Sequence, residues 1–163
     1  MANVAVEKSH ESGFPDNLLQ KINAITEEIR CRAFNLFERR GQVTGSDLDD
    51  WLQAEREVVL SPASELIEDN NAIHARLALP GFEANDLEVT ATPNALVVQA
   101  ESTHTHEGKE GDVRFCEFSG KSIFRRIDLP ADIDVDKVTA SLEKGILEIT
   151  APKAAAKHLQ VAA

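Results

Sequence analysis

The sequence predicts a mainly β fold, an antiparallel β-sandwich of immunoglobulin-like shape preceded by a two-helix hairpin. Three observations predict it. Apolar residues change from three-to-four spacing to strict alternation after Ser61, the change from helix period to strand period. Turn signals at Asp69-Asn70-Asn71, Pro80-Gly81 and Pro93-Asn94 separate short alternating runs at about ten-residue spacing, as in sandwiches of short strands. Gly145 then divides two alternating runs, which reads as a hairpin turn.

The elements follow in order. Residues 1–14 are polar and read as a flexible N-terminus. Residues 15–60 read as a helical hairpin. In its first helix Leu18, Ile22, Ile25 and Ile29 share a face, continued by Ala33 and Leu36 or Phe37. Pro15 suits the first helical turn, and Arg39-Arg40-Gly41 is a stop signal. Ser46 is a good N-cap, with Asp47, Asp49 and Asp50 in the first turn, where the helix dipole favours acid. Leu48, Trp51, Leu52 and Ala54 or Glu55 carry the second helix until Ser61-Pro62 ends it.

Residues 61–153 read as the sandwich. Ile73, Ala75, Leu77 and Leu79 form one strand face, Leu87, Val89 and Ala91 the next, and Leu96, Val98 and Ala100 a third. Val138, Ala140 and Leu142 lead into the Gly145 turn, and Leu147 and Ile149 lead out. Between them residues 102–120 form a loop longer than the roughly 12–15 residues usual for a loop without function. Within it Val113, Arg114, Phe115, Cys116, Glu117 and Phe118 have the apolar content of a strand. Such a strand can pair with a partner's sheet; the alternative is a flexible hairpin. Residues 154–163 read as a C-terminal extension, opening on the low-complexity Ala154-Ala155-Ala156.

Composition narrows the function. The chain has 163 residues, 42% of them hydrophobic, which suits one domain plus a small extra unit. Net charge is −11, and both the helical and the strand regions hold more acid than base. A nucleic-acid surface is not expected. No run approaches the roughly 18 apolar residues of a membrane span, and the N-terminus lacks the basic-then-apolar order of a signal peptide. Cys31 and Cys116 read as free thiols in a reducing compartment, so a cytoplasmic location is expected.

Chemistry-bearing residues are sparse. His104, His106 and Glu107 sit in a segment ending Gly108-Lys109-Glu110-Gly111, which reads as a solvated loop. Two histidines so spaced, without a fixed third partner, are weak metal ligands. Asp132, Asp134 and Asp136 alternate like calcium ligands but lack the loop glycine and closing Glu, and read as a solvated turn. No G-x-S-x-G, phosphate-binding glycine loop or H-E-x-x-H occurs. The expectation is a protein that is not an enzyme and takes no cofactor or metal. Cys116, with Arg114 its basic neighbour, reads as a small part-buried side chain rather than a redox sensor. Arg125 shares a strand face with Ile123, Ile127 and Leu129. A charge on an apolar face must be paired or reach the rim.

Four motifs carry a resemblance. Ala140-Ser141-Leu142-Glu143-Lys144-Gly145-Ile146-Leu147 has the form A-x-x-x-x-G-[IV]-L and precedes Pro152-Lys153. Leu79-Pro80-Gly81-Phe82, Leu87-Glu88-Val89 and Phe124-Arg125-Arg126-Ile127-Asp128-Leu129-Pro130 come before it in the chain. In this order and spacing they resemble the α-crystallin domain of small heat-shock proteins, the Hsp20 family. The spacing Ala33, Gly41, Gly45, Trp51-Leu52-Gln53-Ala54-Glu55 resembles a small bacterial domain of unknown function, over about residues 27–58. Small heat-shock proteins usually carry a variable arm at that place.

The resemblance implies an ATP-independent holdase that binds unfolding client proteins, assembled as a homo-oligomer of dimers. It implies a dimer interface of residues 113–118 with Arg125, which would form ion pairs there; structural and interface pairing are compatible. It also implies that Leu159-Gln160-Val161 is a tail motif, Leu159 and Val161 filling a groove on another subunit lined by Leu87, Val89, Val138 and Ala140. The tether before Leu159 spans at most about 17 Å, which limits its reach; the alternative is an unstructured tail. The alternative function is a non-catalytic scaffolding or co-chaperone module that uses the same sandwich to bind a specific partner.

Overall fold

A computed structural model describes residues 1–11, 15–102, 111–112 and 121–155. Along the chain the elements are β1 (Ala2–Asn3), β2 (Val6–Lys8), α1 (Asp16–Arg39), α2 (Asp47–Val58), β3 (Val59–Leu60), β4 (Ser64–Glu68), β5 (Ala72–Ala78), β6 (Leu87–Thr92), β7 (Ala95–Ser102), β8 (Lys121–Asp128), β9 (Thr139–Glu143) and β10 (Ile146–Pro152). Among the described residues the strands form two five-stranded sheets, ordered β1-β9-β10-β5-β4 and β2-β6-β7-β8-β3. This is the sandwich with a leading helical pair that the periodicity predicts. The long strands pair antiparallel, while the short β2 and β3 pair parallel with β6 and β8.

Alternation explains the core. Ile73, Ala75 and Leu77 on β5 point inward with Val89, Leu96, Val98, Leu147 and Ile149, and none is more than 1% exposed. Each such Val, Leu or Ile side chain contributes about 1.5–3 kcal/mol when fully buried. Arg76 and Glu148 face outward from adjacent strands and pair at 3.0 Å. On β7 the opposite face is buried as well, with Val97 and Gln99 covered. Helix α1 lies on that side of the second sheet. Lys21 pairs with Glu88, and Asn17 donates to Glu7 at 3.1 Å. Lys21, Ile25 and Glu28 also share a cavity of about 370 Å³ with Gln99, Glu101 and Ser122.

The helical hairpin departs from the expected pattern in one instructive way. Leu18 and Ile29 of α1 are buried as the periodicity requires, but α2 buries Asp50 and Ala54. Leu48 and Leu52, expected on the packed face, are exposed. The place goes to Asp50 because Arg40, at the end of α1, satisfies it: the guanidinium Nε donates to both carboxylate oxygens at 3.0 and 3.1 Å. A buried carboxylate is tolerated only when so paired. Arg40 also lies over the Phe37 ring and donates to the Val43 carbonyl, and Arg32 pairs with Glu57 across the two helices. Pro15 occupies the N-cap rather than the first turn. Ser46 stands at the N-cap of α2, yet its side chain makes no capping bond.

This pairing sets a pH dependence. The hydrogen bond from Arg40 holds the Asp50 carboxyl below the usual carboxylate range, and the bond from Gln53 followed by that from Arg32 does the same for Glu57. Groups with depressed folded values stabilise the fold above their unfolded value, near 4, and lose that contribution as pH falls through the folded one. The stability of the helices is therefore expected to fall below about pH 4. Asp50→Asn is expected to flatten the acid limb of a circular-dichroism titration without abolishing it, since Glu57 remains. An acid limb unchanged by the substitution would remove Asp50 as a contributor.

The largest correction concerns the N-terminus. The sequence reading leaves residues 1–14 as a flexible arm, but β1 pairs with β9 and β2 pairs with β6. Val4, between them, is 6% exposed and belongs to the core of the sandwich.

Candidate functional site

No helix among the described residues is long and apolar enough to cross a membrane, and none of their His, Cys, Asp and Glu residues cluster in threes that could hold a metal ion. Of the three alternating aspartates, Asp132 and Asp134 precede a short 3-10 turn at Val135–Lys137 and Asp136 lies within it. Asp134 accepts from the Asp136 backbone N–H and pairs with Lys137 at 2.9 Å, which holds its carboxyl below the ordinary range. Asp134 is thus occupied by its own turn, while the Asp136 carboxylate pairs with His10 at 3.4 Å. His104 and His106 lie outside the described residues. The surfaces that remain are places where chain can add to chain.

The first is a sheet edge. Among the described residues strand β4 ends its sheet, and all five of its residues are exposed, Leu66 at 40% and Ile67 at 44%. Strand edges present unpaired backbone groups that invite another strand. Nearby, β8 carries Arg125 opposite Val98 of β7, half-buried as its apolar face requires. Its Nη2 reaches the Ser64 Oγ at 3.5 Å, while its Nε is buried without a hydrogen-bond partner among the described residues. A buried donor left without a partner costs about 1–3 kcal/mol. Arg125 thus reaches the start of the open edge strand with a donor to spare. Arg126 points to the other face and bonds Asp128 at 2.8 Å. Val113, Arg114, Phe115, Cys116, Glu117 and Phe118 lie outside the described residues, as do Leu159 and Val161.

The second is the space between β6 and β9. Leu87, Val89, Val138 and Ala140 surround it, at 5%, 0%, 3% and 7% exposure. They were expected to line a groove open to the tail. In the folded chain residues 2–8 close over them. The Val4 N–H donates to the Ala140 carbonyl at 3.0 Å, the Val89 N–H to the Ala5 carbonyl at 3.3 Å, and the Ser9 N–H to the Ala91 carbonyl at 2.9 Å. Lys8 and His10 reach the Asp136 carbonyl and carboxylate respectively.

Sequence reasoning missed Val4, Val6 and the β4 edge. Val4-Ala5-Val6 has the apolar-x-apolar spacing of a short strand, a signal too brief to stand alone. For β4 a signal existed: Leu66-Ile67 flanked by Glu65 and Glu68, between Pro62 and Asp69-Asn70, is charged at its ends as edge strands are.

The same sandwich occurs in known proteins. The model of the Hsp20/alpha crystallin family matches residues 65–161, and that of DUF2934, a family of unknown function, matches residues 25–59. Small heat shock protein C4 of Rickettsia felis is 30% identical over 95 residues, covering 58% of each chain. The 16.9 kDa class I heat shock protein 1 of Triticum aestivum is 36% identical over 89 residues, covering 54% of this chain and 59% of the relative. Matches of this kind span little more than half the length of those relatives. Among solved structures, heat shock protein 16.0 from Schizosaccharomyces pombe superposes with a TM-score of 0.52 at 31% identity, over 58% of this chain and 87% of that one.

Proposed function

The chain belongs to the Hsp20/alpha crystallin family, and from that premise we propose that it is an ATP-independent holdase, a non-catalytic chaperone that binds unfolding proteins and keeps them from aggregating. One observation carries the reading: a folded, strongly acidic chain leaves apolar side chains uncovered. Leu48 is 69% exposed, Phe34 57%, and Leu66 and Ile67 stand on an open strand edge. Such uncovered apolar side chains offer contacts to the apolar segments of an unfolding protein, and a net charge of −11 keeps the chain soluble. A holdase binds the unfolded form and withholds it from self-association, with no nucleotide required.

Assembly follows the same logic. Residues 113–118 of one copy add to the β4 edge of another, and Arg125 directs its Nε, unpaired among the described residues, toward a carboxylate brought by the incoming chain. The Leu159-Gln160-Val161 tail links dimers by entering the space between β6 and β9. The place of action is the cytoplasm.

The test is light scattering from a thermally unfolding client at near-equimolar chaperone without ATP. Suppression across several unrelated clients is expected, weakened in a Phe34→Ser, Leu48→Ser variant. No suppression with any client would sink the reading. A second reading, a scaffold for one specific partner, draws on the hairpin locked by Arg40 and Asp50, where a client-binding arm would be variable. It predicts retention of one partner and no general suppression.

A further inference from the structure

The geometry points to residues 2–8 as a built-in plug, holding the space between β6 and β9 closed against the Leu159-Gln160-Val161 tail of a second copy. The inference rests on the tail-docking reading and adds what regulates it. In an extended chain alternate side chains fall on one face, so Val4 and Val6 point the same way. Val4 is buried in the core and Val6 packs against it. Leu159 and Val161 repeat that spacing, and so ask for the same two apolar positions.

The backbone of the segment is also used on both sides. Ala2–Asn3 pairs with Leu142 and Ser141 of β9, and Val6–Lys8 with Val89, Thr90 and Ala91 of β6. One short stretch therefore covers an edge of each sheet. A strand entering from another chain needs those same edges, so plug and tail cannot both be seated.

The plug is built to leave. It has two register pairs on one side and three on the other, and the latter are parallel, the weaker of the two geometries. Besides the backbone bonds from the Val4 N–H to Ala140 and from the Val89 N–H to Ala5, its side-chain ties are solvent-exposed: Asn17 to Glu7 and Lys8 to the Asp136 carbonyl, with His10 beside it on Asp136. Terminal segments held by few exposed bonds open at a fraction of the global unfolding free energy. Opening it uncovers Leu87, Val89, Val138 and Ala140 together.

The experiment compares native mass for the full chain, for a chain lacking residues 2–8, and for Val4→Ser, Val6→Ser in the intact chain, which loosens the plug while keeping its backbone. Both altered forms are expected to at least double in mean mass at equal concentration. A synthetic peptide of residues 1–10 added in excess is expected to return the truncated chain towards the original mass. Unchanged mass in both forms would overturn the plug. Growth that persists when Leu159→Ala and Val161→Ala are added would overturn the tail as the competitor, and with it the tail-docking reading. Growth abolished by those two substitutions, and reversed by the peptide, supports the proposal.

Discussion

Replacing residues 113–118 by a Gly-Ser stretch of equal length is expected to turn dimers into monomers, raising the dissociation constant at least about 100-fold, or about 2.8 kcal/mol. The substitution keeps the chain connected and removes the side chains and strand propensity that let this segment pair. The acceptor proposed for it is β4, whose five residues are all exposed and which ends its sheet among the described residues. Backbone bonds made by an added strand contribute about 0.5–1.5 kcal/mol each, net of their exchange with water. A few of them with the burial of Leu66 and Ile67 exceed the expected loss. Arg125→Ala should weaken the dimer less than the loop replacement and more than Arg126→Ala. Arg125 carries a buried Nε without a partner among the described residues, whereas the exposed Arg126 bonds Asp128 on its own strand, a kind of surface pair worth about 0–1 kcal/mol. Sedimentation velocity decides the matter. Intact dimers after the loop replacement would place the interface elsewhere, with the uncovered Phe34 and Leu48 of the helical hairpin next in line.

How far the sequence could be read depends on how much of each decision is local. β5, β6, β7 and β10 were legible because alternation over six to eight residues is imposed by the strand itself. The turn at Gly145 was legible because few residues accept its backbone. The N-terminal strands were not. Two and three residues carry no period, and their partners Leu142 and Val89 lie far along the chain. Nor could periodicity rank Asp50 above Leu48 in α2, since that choice depends on where the Arg40 guanidinium lands. The candidate site divides the same way. Arg125 was found because a charge on an apolar strand face is anomalous in sequence, while Leu66 and Ile67 gain meaning only from a free edge. The four residues expected to line the groove are buried. That a segment of the same chain would cover them is a long-range fact.

Gly145→Val is expected to lower the unfolding free energy by about 2–4 kcal/mol. Lys144 and Gly145 both have positive φ, 51° and 77°, the backbone of a two-residue hairpin turn matched to strand twist. A residue with a Cβ in this region loses about 1–2 kcal/mol. Position 145 adds a second cost, because a Cβ there would lie 3.3 Å from the Cα of Pro80. That neighbour is backbone and cannot swing aside, and the Leu79 N–H donates to the Gly145 carbonyl at 2.7 Å. The Leu79-Pro80-Gly81 turn and the Gly145 turn are therefore one contact. Two companions separate the causes. Gly81→Ala has φ of 86° but open space around its Cβ, so it should lose only about 1 kcal/mol. Lys144→Gly relieves the strain of positive φ while loosening the unfolded chain, and should be near neutral. Urea midpoints at constant m-value measure all three. Equal losses at positions 81 and 145 would mean that handedness alone sets the requirement for glycine. A larger loss at 145 would show that the approach of Pro80 fixes the β9–β10 hairpin, and with it the edge where residues 2 and 3 are seated.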